Sequence, residues 1–152
     1  MFVSEIISQF IDTAIEGLKQ DSADKGQKIP VNSFRKEVGE DFGRLYAAHY
    51  MQYLILGRGP GKFPPPDAML KFVQKNPQIL ESARKTYSNI TEKGLAYLIG
   101  RKIAMEGTRI YRGEKEGIDL LGVIENSMPD LLKELARNQA LAIQTSLKTA
   151  LK

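Results

Sequence analysis

No cysteine occurs among the 152 residues. Disulfides, thiolate metal sites and cysteine nucleophiles are thereby excluded, and the composition fits assembly in a reducing cytoplasm. No apolar run approaches the ~20 residues that span a bilayer, so no membrane partner is expected. The opening Met1-Phe2-Val3-Ser4-Glu5 lacks a basic segment followed by an unbroken apolar stretch, which argues against a secretory signal. Histidine occurs once, as His49. With no thiolates beside it, only carboxylates remain as metal ligands. Glu40 with Asp41, and Glu114 with Glu116, are too sparse for a calcium loop. A lone histidine beside tyrosines reads as a packed or partly exposed side chain rather than a base. No serine stands in a G-x-S-x-G elbow. The residues therefore predict no catalytic site, no cofactor and no metal.

The phrase Gly57-Arg58-Gly59-Pro60-Gly61-Lys62 looks superficially like a phosphate loop. It departs from G-x-x-x-x-G-K-[ST], because Phe63 follows the lysine where a magnesium-binding hydroxyl is needed. Pro60 also removes an amide donor. The glycines read instead as letting a basic backbone segment lie close against a neighbour.

What is present is an ordinary apolar fraction of 42% and charged fraction of 26%, with a length that predicts one domain around a single core. The charge is unevenly placed. Residues 1–55 carry 6 basic and 8 acidic groups, residues 56–113 carry 11 and 4, and residues 114–152 carry 5 and 6. The whole basic excess lies in the middle third, as in a surface facing nucleic acid or an acidic partner. Tyr87, Tyr97 and Tyr111 are interleaved with it, a mixture that stacking platforms use, although helical aromatics more commonly serve the core.

Apolar residues from Ile6 to Leu18 recur at helical spacing, predicting a helix over 4–19 capped by Ser4 and ended by the polar stretch 20–28. Residues 34–38 and 44–47, with Gly39-Glu40-Asp41-Phe42-Gly43 between them, predict a hairpin; two glycines argue against a helix through 33–56. A short helix over 48–56 follows, then the irregular Gly-Arg-Gly-Pro loop. Pro64-Pro65-Pro66 leads into a helix over 68–75 capped by Asp67, with Met69, Phe72 and Val73 inward. Residues 76–90 are ambiguous. Thr91 caps a helix over 92–105 that buries Leu95, Leu98, Ile99 and Ile103. Gly94 and Gly100 in this helix point to close packing. A short extended piece is expected around 108–111, and a short apolar segment over 118–125. The last helix starts at Ser127, with Pro129 in its first turn and Asp130 completing a serine–acid box. Its apolar residues, among them Leu132, Leu141, Ile143 and Leu147, form more than one stripe, which predicts a second contact face.

The expected fold is α+β, a small antiparallel hairpin packed against several helices. The expected divisions are an N-terminal helix and polar loop over 1–30, an α+β core over 31–126 and a long C-terminal helix over 127–152.

From Phe34 to Pro65 the chain runs hairpin, Leu45-Tyr46-Ala47-Ala48-His49-Tyr50, helix, Leu56-Gly57-Arg58-Gly59-Pro60 and Lys62-Phe63-Pro64-Pro65. This resembles the family of small tailed-phage tail-completion, neck (head–tail connector) and minor-tail proteins. Tyr50, Tyr53, Gly57, Arg58, Gly59, Pro60, Pro64 and Pro65 stand at that family's motif positions. Ala96-Tyr97-Leu98-Ile99-Gly100-Arg101-Lys102-Ile103 with Glu106-Gly107-Thr108 resembles its second helix and Gly-Thr exit. The resemblance covers roughly residues 30–145. It implies a non-enzymatic virion subunit, assembled in the host cytoplasm and forming a closed ring of its own copies around the DNA channel. Its neighbours would be portal, adaptor or tail proteins, with non-specific contact to packaged DNA. The implied intersubunit or DNA-facing residues are Arg58, Lys62, Arg101, Lys102, Arg109 and Arg112. The competing expectations are a small nucleic-acid-binding protein using the basic middle third, and a small enzyme with an unrecognised site.

Overall fold

The computed structural model describes residues 2–151 and is α+β, with six helices and one two-stranded antiparallel sheet among them. Where the length predicts a single core, there are two clusters of buried hydrophobic residues, one in each of two compact units: residues 2–55 with 117–151, and Leu56–Glu116.

In the first unit, α1 (Val3–Asp24) packs against the hairpin strands and, most extensively, against α6 (Leu120–Ala150). Its buried positions Ile11, Ala14, Leu18 and Ser22 continue one stripe past the expected end at residue 19. The polar Ser22 tolerates burial because its hydroxyl donates to the Gln27 carbonyl at 3.0 Å. At the other end Ser4 is not the cap. Phe2 occupies that position, and its N–H donates to the Glu5 carboxylate at 2.8 Å.

β1 (Phe34–Val38) and β2 (Gly43–Ala47) form the expected hairpin, with Phe34 opposite Ala47 and Val38 opposite Gly43. The turn closes through the Gly39 N–H to the Phe42 carbonyl at 2.8 Å. Lys36 ties the sheet to α1 by reaching Asp12 at 2.6 Å. The following helix, α2 (Met51–Ile55), is shorter than expected. The cluster of this unit is Leu18, Met51 and Ile118, flanked by Phe34, Leu45 and Val123. Full burial of a leucine such as Leu18 stabilises by about 1.5–3 kcal/mol.

α6 is one helix of 31 residues, where a separate apolar segment and a helix from Ser127 were expected. Its N-cap is Asp119, which accepts the Gly122 N–H at 2.9 Å. Ser127 lies inside, its hydroxyl donating to the Val123 carbonyl at 2.9 Å, and Pro129 is spanned rather than starting the helix. An internal proline costs about 3 kcal/mol; α6 continues through it while packed on α1, with Val123 against Gly17.

In the second unit, α3 (Pro66–Lys75) and α4 (Pro77–Thr86) accompany α5 (Glu92–Glu106). Val73, Leu80, Leu95 and Ala96 make its buried cluster, with Met69, Leu70, Ile79 and Ile99 around them. α3 begins at Pro66, with Pro65 at the cap position; Asp67 sits in the first turn and makes no capping bond. The ambiguous stretch becomes α4. Thr91 caps α5 as expected, accepting the Gly94 N–H at 3.1 Å. Two expected inward residues are exposed, Phe72 and Leu98; the packing uses Leu70 and Ala96 instead. Residues 108–111 are not extended. They turn, with the Arg112 N–H bonded to the Thr108 carbonyl at 3.1 Å.

Candidate functional site

The six sequence-predicted contact residues all fall in the second unit, which carries 12 basic against 6 acidic residues. The Gly-Arg-Gly-Pro loop is sewn to the exit of α5. The Arg58 N–H donates to Thr108 Oγ1 at 2.9 Å, and the Thr108 N–H returns to the Arg58 carbonyl at 2.8 Å. The Gly61 N–H donates to the Ala104 carbonyl at 2.9 Å. Gly57 has φ +76°, and a Cβ there would overlap the Tyr111 backbone nitrogen. The neighbour that Gly57 and Gly59 admit is the chain's own Thr108–Tyr111 segment.

Charge pairing separates the six cations. Arg112 grips Glu114 through two bonds, Nε to Oε1 at 2.6 Å and Nη2 to Oε2 at 2.9 Å, and its Nη1 donates to the Gly107 carbonyl at 2.6 Å. Its side chain is only 17% exposed. The hydrogen bonding between Arg112 and Glu114, against a smaller desolvation effect, holds the Glu114 carboxyl below its ordinary range and raises the guanidinium. Arg109 also meets Glu114, at 3.6 Å, and Lys102 meets Glu106 at 3.8 Å. The Arg58 guanidinium donates to the Lys62 carbonyl at 2.5 Å. Lys62 and Arg101 have no carboxylate partner among the described residues.

Sequence reasoning passed over Lys93. It lies four residues before Tyr97, which lies four before Arg101, and all three are exposed on α5. That i, i+4, i+8 spacing was the available signal. Phe63 stacks on Tyr97 with ring centroids 5.7 Å apart, over Gly100, where a side chain would strike the Phe63 ring. A cleft of about 240 Å³ beside the stack is lined by Pro66, Asp67, Leu70 and Lys93.

The second candidate surface is α6. Gly17 opposes Val123, and Asp21 opposes Asp119. Continued along this antiparallel register, Val3 at the start of α1 faces residue 137. Beyond it α6 runs on for 13 more residues, about 20 Å at 1.5 Å per residue. From Gln139 to Leu151 every residue is exposed, including Leu141 at 62%, Ile143 at 61% and Leu147 at 57%. Residues 138–147 contain no charge. Met128, Leu132, Ala136, Ala140, Ile143, Leu147 and Leu151 follow at three- and four-residue steps, so one outward stripe continues from the packed half into the overhang.

His49 is exposed beside Tyr53 and within 3.3 Å of Gln52. The Tyr50 hydroxyl meets that of buried Ser33. Among the described residues no group of three or more metal-ligating side chains converges, and no helix is long and apolar enough to cross a membrane. Scans against protein-family models, curated proteins and solved structures gave no match.

Proposed function

We propose that the chain is a non-enzymatic structural subunit of a tailed-phage particle, a neck, tail-completion or minor-tail protein that assembles into a ring at the head–tail junction around the DNA channel. The observation that carries the reading is the overhanging half of α6. Residues 138–147 of this helix carry no charge, and Leu141, Ile143 and Leu147 among them are more than half exposed. A surface of this kind marks a protein contact. In a ring, each subunit would meet the next through unlike patches, the projecting end of one α6 lying on another surface of its neighbour. The motif resemblance over roughly residues 30–145 supplies the particle and the position within it.

The test is reconstitution. The purified full chain is mixed with portal–adaptor assemblies of a tailed phage that encodes it and sedimented. Stable addition in whole-ring stoichiometry supports the reading; a chain that never co-sediments with head or tail components removes it.

A further inference from the structure

We infer that the exposed face of α5 bearing Lys93, Tyr97 and Arg101, with Lys62 beside it, binds the phosphate backbone of duplex DNA without reading its sequence. This deepens the preceding reading and rests on it only for the source of the DNA.

Four observations converge on this face. Lys93, Tyr97 and Arg101 are exposed at successive helical turns. The backbone at Lys62 is held against α5 by its neighbours, since Gly61 is bonded to Ala104 and Phe63 is stacked on Tyr97. These three cations are uncommitted, whereas Lys102, Arg109 and Arg112 already hold Glu106 and Glu114. The nearby acids make no ion pair with these cations: Glu92 takes a hydrogen bond from Gln74 at 3.2 Å, and Asp67 lines the cleft with Lys93 without a salt bridge to it.

The chemistry follows from the spacing. Residues four apart on a helix lie about 6 Å apart, close to the separation of successive phosphates along a strand. Tyr97 is 58% exposed, and its phenol is a phosphate donor on a rigid ring fixed by Phe63. The face offers point charges and one hydroxyl, the groups that contact phosphate oxygens, and phosphate contacts carry no sequence information.

The test is fluorescence anisotropy with a random-sequence DNA duplex over a salt series. Three cations predict a slope of log K against log salt near −2.7, at about 0.9 per phosphate neutralised. Lys93→Gln and Arg101→Gln are each expected to flatten the slope by about 0.9, with unchanged melting temperature. Lys85→Gln, which removes the same charge from α4, is expected to leave it unaltered. No duplex binding at low salt would overturn the inference, as would equal loss in Lys85→Gln, which would mean diffuse attraction to net charge. A chain that stays monomeric yet binds through these residues would end the ring reading and leave this one standing.

Discussion

Asp21 and Asp119, 98 positions apart, are joined by a hydrogen bond from the Asp119 N–H to Asp21 Oδ2 at 2.8 Å. Asp21 also holds Lys25 at 3.0 Å, and Lys25 donates onward to the Gly117 carbonyl at 2.8 Å. Asp119 in turn caps α6. One carboxylate therefore fastens the end of α1 to the start of the helix that carries the outward stripe.

Removing it has a predicted cost. Asp21→Ala leaves the Asp119 amide without its acceptor and the Lys25 ammonium with the Gly117 carbonyl alone, a loss of about 1–3 kcal/mol. Chemical denaturation of the full chain measures it.

The same carboxyl gives a pH dependence. Burial pushes Asp21 upward, but the hydrogen bonds from Asp119 and Lys25 and the lysine charge outweigh it, so its pKa lies below the ordinary 3.8. A lowered folded-state value contributes stability that is fully present above the unfolded value and lost as pH falls through the folded one. Stability should therefore drop as pH goes below about 4, and Asp21→Asn should flatten that acid limb. An unchanged limb in the variant would mean that other carboxylates govern it.

The glycine loop gives a graded comparison. Gly57 and Gly113 both have positive φ, +76° and +73°, but only at Gly57 would a Cβ strike backbone. Gly113→Ala should cost about 1–2 kcal/mol for the left-handed conformation alone, and Gly57→Ala clearly more. Equal melting temperatures for the two variants would contradict the packing described for Tyr111.

Much of this arrangement was legible in the residues. The hairpin declared itself through glycines bracketing an acidic turn, and α5 through the Thr91 cap. The start of α6 was not legible, because Ser127 and Pro129 look the same whether a helix begins or continues there. What decides, beside the local cap at Asp119, is the tie of Asp119 to Asp21 and of Val123 to Gly17, contacts made across more than 95 residues. Nor could composition divide the cations. Arg112 and Glu114 are two apart in an irregular segment, where no periodicity predicts that they meet. The excess width of the apolar set in α6 was readable; which part of it overhangs depends on where α1 starts.

The overhang predicts a separation of stability from assembly. Ile143→Ser with Leu147→Ser removes apolar groups that are more than half exposed in the monomer, so the melting temperature of the isolated chain should move little, within about 0.5 kcal/mol per site. Self-association should be lost. Amides of residues 139–150 should exchange rapidly in the dissociated chain and become protected on assembly.

The most direct measurement is the native mass of the purified full chain, wild type beside the Ile143→Ser/Leu147→Ser variant. Ring assembly through α6 predicts a wild-type species at a high multiple of 17.0 kDa that the variant cannot form. A wild type that stays at 17.0 kDa at every concentration, or a ring that the variant forms equally well, would contradict it.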